Sequence, residues 1–385
     1  MNSIYKRTIQ NKMDLYLDSH QSFTIYGARR TGKTTLILDY AKKIGLEYKY
    51  VDCDLFSNQQ RLSVQEVEPL KEFIGSAKLL LIDEAQRVKN IGLNMKIIHD
   101  HIPEVKVIAT GSSALDLASN VKESMAGRDY SFYLHPLSLQ ELSQKTDKFD
   151  MSYKLQDYLI YGMYPEVIQK ESYQEKIDYL YELVNSYLYK DLLELDLIKK
   201  PSLILNLLRV LATCLGGEVT STALAEKVGF SKNTVEKYLD LLEKCFIIKI
   251  VRPYNKKIAN EIKHPFKVYF WDLGIRNALI EDFKLLELRS DFDLGGMWEN
   301  FVFIEKMKKT MNNNQYKKYW FWRTSESASK EYDMIEEENG ILTVFEIKWG
   351  QAGVNKVKKY PVFFDTYKGS DLHVISKDNF TSWLV

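Results

Sequence analysis

The chain has 385 residues, of which 45% are hydrophobic and 27% charged, and its 53 Lys+Arg against 52 Asp+Glu leave a formal net charge of +1. That composition is ordinarily globular and, at roughly 150 residues per domain, leaves room for two to four domains. It excludes collagen-like, disordered and disulfide-scaffold classes, and it confines any nucleic-acid contact to a local patch. Three widely spaced cysteines, Cys53, Cys214 and Cys245, fit a reducing compartment and exclude a cysteine-rich zinc site. No secretory signal and no stretch near the ~20 apolar residues of a membrane span is visible, so a cytoplasmic protein without membrane contact is expected.

Residues 22–27, SFTIYG, read as a short strand, followed by GARRTGKTT (Gly27 to Thr35) and a helical run that ends at Gly45. This is a complete G-x-x-x-x-G-K-[ST] phosphate loop with the strand before it and the helix after it that the mechanism requires. Gly27, Ala28, Arg29, Arg30, Thr31, Gly32, Lys33, Thr34 and Thr35 are the candidate nucleotide-binding residues. Backbone N–H groups and the positive end of the helix dipole would cradle the phosphates. Lys33 would reach the β- and γ-phosphates, and Thr34 would hold Mg²⁺ through its hydroxyl. Arg29 and Arg30 occupy variable loop positions, where solvated side chains are the favoured reading over contacts to nucleotide or to a neighbouring subunit.

Strand candidates follow at 47–52, 105–110 and 130–135, and KLLLIDEAQ (78–86) reads as a strand buried on both faces. Asp83 ends that apolar run and is the candidate second Mg²⁺ ligand, acting through a water; Glu84 is the candidate general base. Past the strand VKVIAT come Thr110, Ser112 and Ser113. In additional-strand P-loop ATPases a polar residue there senses the γ-phosphate, and Ser112 is the candidate. Arg128, in MAGRD, is the candidate mobile cation of the transition state, against the alternative of a structural salt bridge.

The strings GARRTGKTT, LLLIDEAQ, ATGSS, AGR and YLHPLSLQEL resemble those of a prokaryotic AAA+-type P-loop ATPase family. Members of that family add a helical segment, a winged helix and a C-terminal restriction-endonuclease-like domain of unknown function. YGMYPEV (161–167) and SYLYKDLLE (186–194) are similar to further family segments, although the family usually shows two glycines where this chain has Tyr161-Gly162.

Apolar residues recur at helical spacing through 174–200, and residues 203–215 supply another apolar helix. Then come a helix at 221–228, a turn at Gly229, a helix at 232–244 capped by Ser231 and a strand at 246–252, the pattern of a helix-turn-helix with a wing. Lys232, Asn233, Glu236 and Lys237 are exposed near the start of the second helix. From Gly216 to Asn260 there are eight Lys/Arg and five Asp/Glu, a net +3. This permits phosphate contacts, while a lid or interaction module is the competing reading.

In KEYDMIEEENGILTVFEIKWG (330–350), Asn339-Gly340 predicts a type I′ hairpin between strands 331–338 and 341–348. The two-residue loop sets Glu338 opposite Ile341, Asp333 opposite Glu346 and Glu331 opposite Lys348. Paired carboxylates repel unless neutralised, and a divalent metal would neutralise them. Asp333 and Glu346 are therefore candidate metal ligands, with Lys348 as the candidate catalytic cation. The arrangement resembles the D…E-x-K set of restriction-endonuclease-like nucleases, and Glu299 is similar to the extra acid on the first helix of those folds. A solvated hairpin and an inactive nuclease fold are the competing readings. The segment 317–322, KKYWFW, reads as a core strand or a stacking surface, and Lys356, Lys358, Lys359 and Lys368 form a basic rim.

The expected architecture is α/β. A P-loop parallel sheet flanked by helices (1–135) is followed by a helical segment (136–200), a winged helix (201–280) and a smaller α/β nuclease-like domain (281–385). The expected function is Mg²⁺-dependent ATP hydrolysis coupled to action on DNA. The alternative is a nucleotide-switched signalling or scaffold ATPase with a protein partner; self-association is open in both.

Overall fold

The computed structural model describes residues 5–111, 124–188, 201–255, 264–324 and 330–385. These form two compact units, one made of Lys6–Pro136 with Lys244–Phe246 and the other of the remaining residues. The three segments expected after residue 136 thus fold into a single unit.

The first unit is built on five parallel strands, β1 (Ser22–Tyr26), β2 (Tyr48–Asp52), β3 (Leu79–Asp83), β4 (Lys106–Gly111) and β5 (Asp129–Tyr133). They lie in the order β2-β3-β4-β1-β5. Strand alternation splits their side chains between two cores. Phe23, Ile25, Leu79, Leu81, Ile108 and Phe132 pack with Leu36, Ile37 and Tyr40 of the helix Lys33–Ile44. Val51, Leu80, Ile82, Val107 and Ala109 pack on the other face with Ile91, Met95 and Ile98 of the helix Ile91–His101. Being buried on both sides, β3 is a continuous apolar run, and the helix Lys33–Ile44 stops at Gly45 in the left-handed region (φ +70°).

In the second unit the predicted helices appear at Ser221–Val228 and Lys232–Lys244. The side chain of Thr220 accepts from the Ala223 amide (3.1 Å), that of Ser231 accepts from the Thr234 amide (3.2 Å), and Gly229 turns between the helices at φ +71°. They follow the helix Pro201–Ala212 and a short strand β6 (Glu218–Val219), and precede β7 (Ile248–Val251) and β8 (Phe266–Phe270). The three strands pair antiparallel in the order β6-β8-β7. Of the long helix expected at 174–200, Tyr173–Glu182 is helical and Leu183–Leu188 continues as a π-helical turn; residues 189–200 lie outside the described residues.

A second sheet has the order β12-β11-β10-β9, from β9 (Lys318–Arg323), β10 (Glu331–Glu338), β11 (Ile341–Ile347) and β12 (Asp371–Ile375). The expected hairpin forms, with Asn339 and Gly340 both at positive φ. Its ladder runs from Glu338↔Ile341 to Met334↔Phe345 and stops there. The expected cross-strand pairs Asp333–Glu346 and Glu331–Lys348 are therefore not formed. Just where that ladder ends, β10 carries an extra residue against β9, between Tyr332 and Ile335. Most of the segment KKYWFW forms β9, the end strand of this sheet, with Phe321 and Trp322 buried and Tyr319 and Trp320 half-buried.

Gly162 shows why its segment tolerates little change. It sits at φ +74°, and a Cβ there would overlap the Asp272 carboxylate. That carboxylate cannot swing aside, because it accepts hydrogen bonds from the Met163 amide (2.7 Å) and the Ile275 amide (3.2 Å). Gly162→Ala should destabilise the second unit by about 2–4 kcal/mol, from left-handed strain plus overpacking. Chemical denaturation checks this, and a loss below about 0.5 kcal/mol would contradict it.

Candidate functional site

The phosphate-loop site follows from strand parity. Asp83 shares the face of Leu79 and Leu81, the face covered by the helix Lys33–Ile44. By the same alternation Thr110 shares the face of Ile108, and Tyr50 points opposite to Val51. Three hydroxyls from three elements consequently converge on one carboxylate. Thr34 Oγ1 donates to Asp83 Oδ2 at 2.7 Å, Tyr50 Oη donates to the same oxygen at 2.9 Å, and Thr110 Oγ1 donates to Asp83 Oδ1. Thr110 in turn accepts from the Glu84 amide at 3.2 Å. Burial, and next the neighbouring Asp83, push the Tyr50 hydroxyl well above its ordinary pKa, so it remains a donor.

The loop itself is closely braced. A Cβ on Gly27 would run into the Leu134 carbonyl, and Gly32 takes φ +94°; both positions require glycine. Thr31 Oγ1 donates to the Ala28 carbonyl (2.8 Å). The Lys33 ammonium, almost fully buried, donates to the carbonyls of Gly27 (2.9 Å) and Ala28 (3.1 Å), so it lies across the loop. Arg30 adopts φ +63°, and Thr35 lies in the first turn of the helix. Sequence reasoning missed Arg7. This buried side chain donates to the carbonyls of Thr31 (2.7 Å) and His135 (2.6 Å) and so braces the loop from below. A lone arginine near the start of a chain carries no motif that could have flagged it.

Glu84 sits just past β3 at φ +52°, and its carboxylate accepts from the Gln86 side chain at 2.5 Å. Non-glycine residues rarely occupy this region, and such strain concentrates at functional sites. Ser112 and Ser113 lie outside the described residues. Arg128 departs from expectation. The Ser22 amide bonds to its carbonyl (2.9 Å), at the start of β1, whereas the phosphate loop leaves the end of that strand. A five-residue strand puts roughly 16 Å between them. The Arg128 side chain instead donates to Asp100 (2.8 Å) and holds that carboxyl down at about 2. Arg128 is thus not placed to reach a phosphate held by its own loop.

The second cluster lies in the other unit. Asn300 clamps the helix Asp291–Asn312 to the end of β8, accepting from the Phe270 amide (2.7 Å) and donating to its carbonyl (2.9 Å). One residue earlier, Glu299 Oε1 accepts from Lys267 Nζ (2.8 Å) and Tyr269 Oη (2.6 Å), both on β8. Lys267 Nζ also pairs with Glu331 at 2.5 Å. Lys348 Nζ bridges Asp333 (3.1 Å) and Glu346 (2.7 Å), and Asp333 accepts from the Ile347 amide (2.7 Å). The structure thus brings Glu299, Asp333, Glu346 and Lys348 into one cluster, as the sequence implied. It adds Lys267, Tyr269 and Glu331, which sequence reasoning did not assign to a site.

Hard oxygen donors suit Mg²⁺. At the phosphate loop the Thr34 hydroxyl and the Asp83 carboxylate fit that requirement. At the second cluster the residues as folded do not fit a divalent ion. Each carboxylate is already paired with an ammonium, and among the described residues no group of three or more His, Cys, Asp or Glu is arranged to hold a metal. The metal set Glu299, Asp333 and Glu346 expected from sequence is therefore a salt-bridge network.

The five-stranded parallel sheet, with the glycine-rich loop between β1 and its helix and β4 inserted between β1 and β3, is the P-loop nucleotide-hydrolase fold. Residues 19–143 match the family described as "AAA domain". An AAA-type P-loop domain implies nucleotide binding. Residues 152–286 and 294–381 match two families described as domains of unknown function, DUF8612 and DUF4143. A Mycobacterium tuberculosis protein described as uncharacterized is 25% identical over 324 residues, 84% of this chain and 69% of that protein. One from Haemophilus influenzae is 26% identical over 306 residues, covering 74% of each chain. Among solved structures, a Walker-type ATPase of Pyrococcus abyssi is similar at TM-score 0.48 and 15% identity, over 72% of this chain and 96% of that one. The RuvB Holliday junction branch migration motor of Thermotoga maritima is similar at TM-score 0.34 and 14% identity, over 66% and 94%. No helix among the described residues is long and apolar enough to cross a membrane.

The charge balance of the second cluster gives it a pH signature. Burial, and secondly Asp333, push the Glu346 carboxyl up to about 7, with Lys348 opposing. Because this lies above the ordinary value of 4.5, the folded chain holds a proton that the unfolded chain releases. The resulting stability is fully present below pH ~4.5 and is lost as pH rises through ~7. Glu346→Gln should flatten that decline by on the order of 1–3 kcal/mol. Denaturation at the two ends of the window measures it, and an unchanged slope would contradict the assignment.

Proposed function

We propose that the chain binds ATP with Mg²⁺ at the phosphate loop, hydrolyses it, and couples nucleotide state to a winged helix and a nuclease-like domain that act on DNA. The observation that carries the ATPase reading is the 2.7 Å hydrogen bond from Thr34 to Asp83. It brings together the two oxygen donors that hold Mg²⁺ in P-loop enzymes. Lys33 would exchange the Gly27 and Ala28 carbonyls for phosphate oxygens, and Glu84, released from Gln86, would orient and deprotonate the attacking water. Mg²⁺ would neutralise charge on the β- and γ-phosphates when bound.

Two features support the DNA reading. The helix–strand–helix–helix–strand–strand order with the sheet β6-β8-β7 is consistent with a winged helix, and Lys232, Asn233 and Lys237 are exposed at the start of its last helix. Lys356, Lys358, Lys359 and Lys368 are likewise exposed. One specific observation favours the scaffold alternative, in which a protein partner is bound without chemistry: each carboxylate of the second cluster already pairs with a lysine. Nicking assays on DNA with wild type, Asp333→Ala and Lys348→Ala separate the two. Activity lost in both variants supports action on DNA, and its absence throughout, without salt-sensitive DNA binding, supports the scaffold.

Glu84→Gln should keep ATP affinity and lower turnover by about 10²-fold or more. Calorimetry with magnesium and a phosphate-release assay read the two quantities. Normal turnover in the variant removes Glu84 from the role of base, and no affinity of the wild type for ATP ends the ATPase reading.

A further inference from the structure

Lys267 is the least expected member of the second cluster. It lies on β8, opposite Val251 of β7 and Glu218 of β6, and its side chain is 1% exposed. A lysine so buried keeps its charge only if carboxylates compensate for lost hydration. Two do so directly, from different elements: Glu299 on the helix Asp291–Asn312 at 2.8 Å and Glu331 on β10 at 2.5 Å. The face of Phe321 adds a third contact, 5.3 Å from the ammonium. A single cation joining acids from a helix and a strand does the structural work that a divalent ion does in a metal site.

The surroundings fix it in place. The chain after β7 pairs with β9 through hydrogen bonds from the Tyr254 amide to the Phe321 carbonyl (2.7 Å) and from the Phe321 amide to the Arg252 carbonyl (3.3 Å). Glu218 of β6 pairs with Arg323 of β9. Asn300 holds the helix against β8. The ammonium is thus presented by one sheet to an acid of the helix and an acid of the other sheet, and the two sheets are stitched together on both sides of it. A carboxylate oxygen of Glu346, Oε2, is buried without a hydrogen-bond partner, so acceptor capacity remains in the cluster.

We propose that Lys267 is the resident cation between Glu299 and Glu331, beside the Lys348 that joins Asp333 to Glu346, and that its ammonium keeps divalent metal out of this four-acid cluster. The cluster is then closed to metal by a residue of the neighbouring three-stranded sheet, and only removal of that ammonium opens a divalent site. The inference is independent of nucleotide hydrolysis.

The test is Mn²⁺ binding to the nucleotide-free full-length chain, followed by electron paramagnetic resonance. Wild type should bind no Mn²⁺ that Asp333→Asn abolishes. Lys267→Met should gain one Mn²⁺ per chain, lost again when Asp333→Asn is added, and its melting temperature should rise with Mn²⁺. Mn²⁺ at the phosphate loop is insensitive to Asp333 and cancels in the comparison. Should Lys267→Met fail to fold, Lys267→Met/Glu331→Gln removes the orphaned charge and keeps the other three acids. Mn²⁺ in wild type that Asp333→Asn abolishes would overturn the proposal, as would a folded variant of either kind that gains none.

Discussion

The carboxylate of Asp83 is the point on which the first unit converges. Its two oxygens accept hydroxyls from the phosphate-loop helix, from β2 and from β4. The Tyr50 and Thr110 hydroxyls arrive there because strand parity, set by the apolar residues beside them, leaves no other face, and Thr34 arrives from the first turn of the helix that covers that face. The hydrophobic division of β3, with Leu79 and Leu81 on one side and Leu80 and Ile82 on the other, therefore also aims the polar site. Shifting β3 by one residue would point Asp83 away from Thr34 and dismantle the constellation.

The second unit obeys a different constraint, the cost of burying charge. Four acids and two lysines crowd where β8, β10, β11 and the helix Asp291–Asn312 meet. Lys267, Glu299, Asp333 and Glu346 are largely shut away from water, so they depend on one another and on the half-buried Glu331 and Lys348 for solvation. Burial drives Glu299 and Glu346 toward the protonated form, while burial works against the Lys267 ammonium and the surrounding acids more than restore it. Such a network is a weak source of net stability but a demanding one, since removing either lysine strands the charge of two acids.

Much of this was legible in sequence because the signals were local. The phosphate loop, the run LLLID, the Asn339-Gly340 turn and the paired helices around Gly229 each specify their own conformation within a few residues. The bulge in β10 was not legible. It depends on how β10 meets β9, and it falls where the ladder to β11 ends, one pair short of Asp333 and Glu346, which Lys348 joins instead. Arg128 shows the same limit. Its motif placed it between the strands expected at 105–110 and 130–135 but could not say which end of the sheet it would meet.

By itself the sequence determined the identity of the chemical groups and their local geometry: a loop for phosphate, an acid at the end of a buried strand, a hairpin carrying D…E-x-K. Only the tertiary structure decided what those groups meet. It placed Arg7 beneath the loop, Arg128 at the opposite end of the sheet, and Lys267 among the acids expected to hold a metal. Periodicity and turn chemistry act over a few residues and leave their mark in order along the chain. The partner of a buried charge is chosen by packing between distant elements, and nothing local records it.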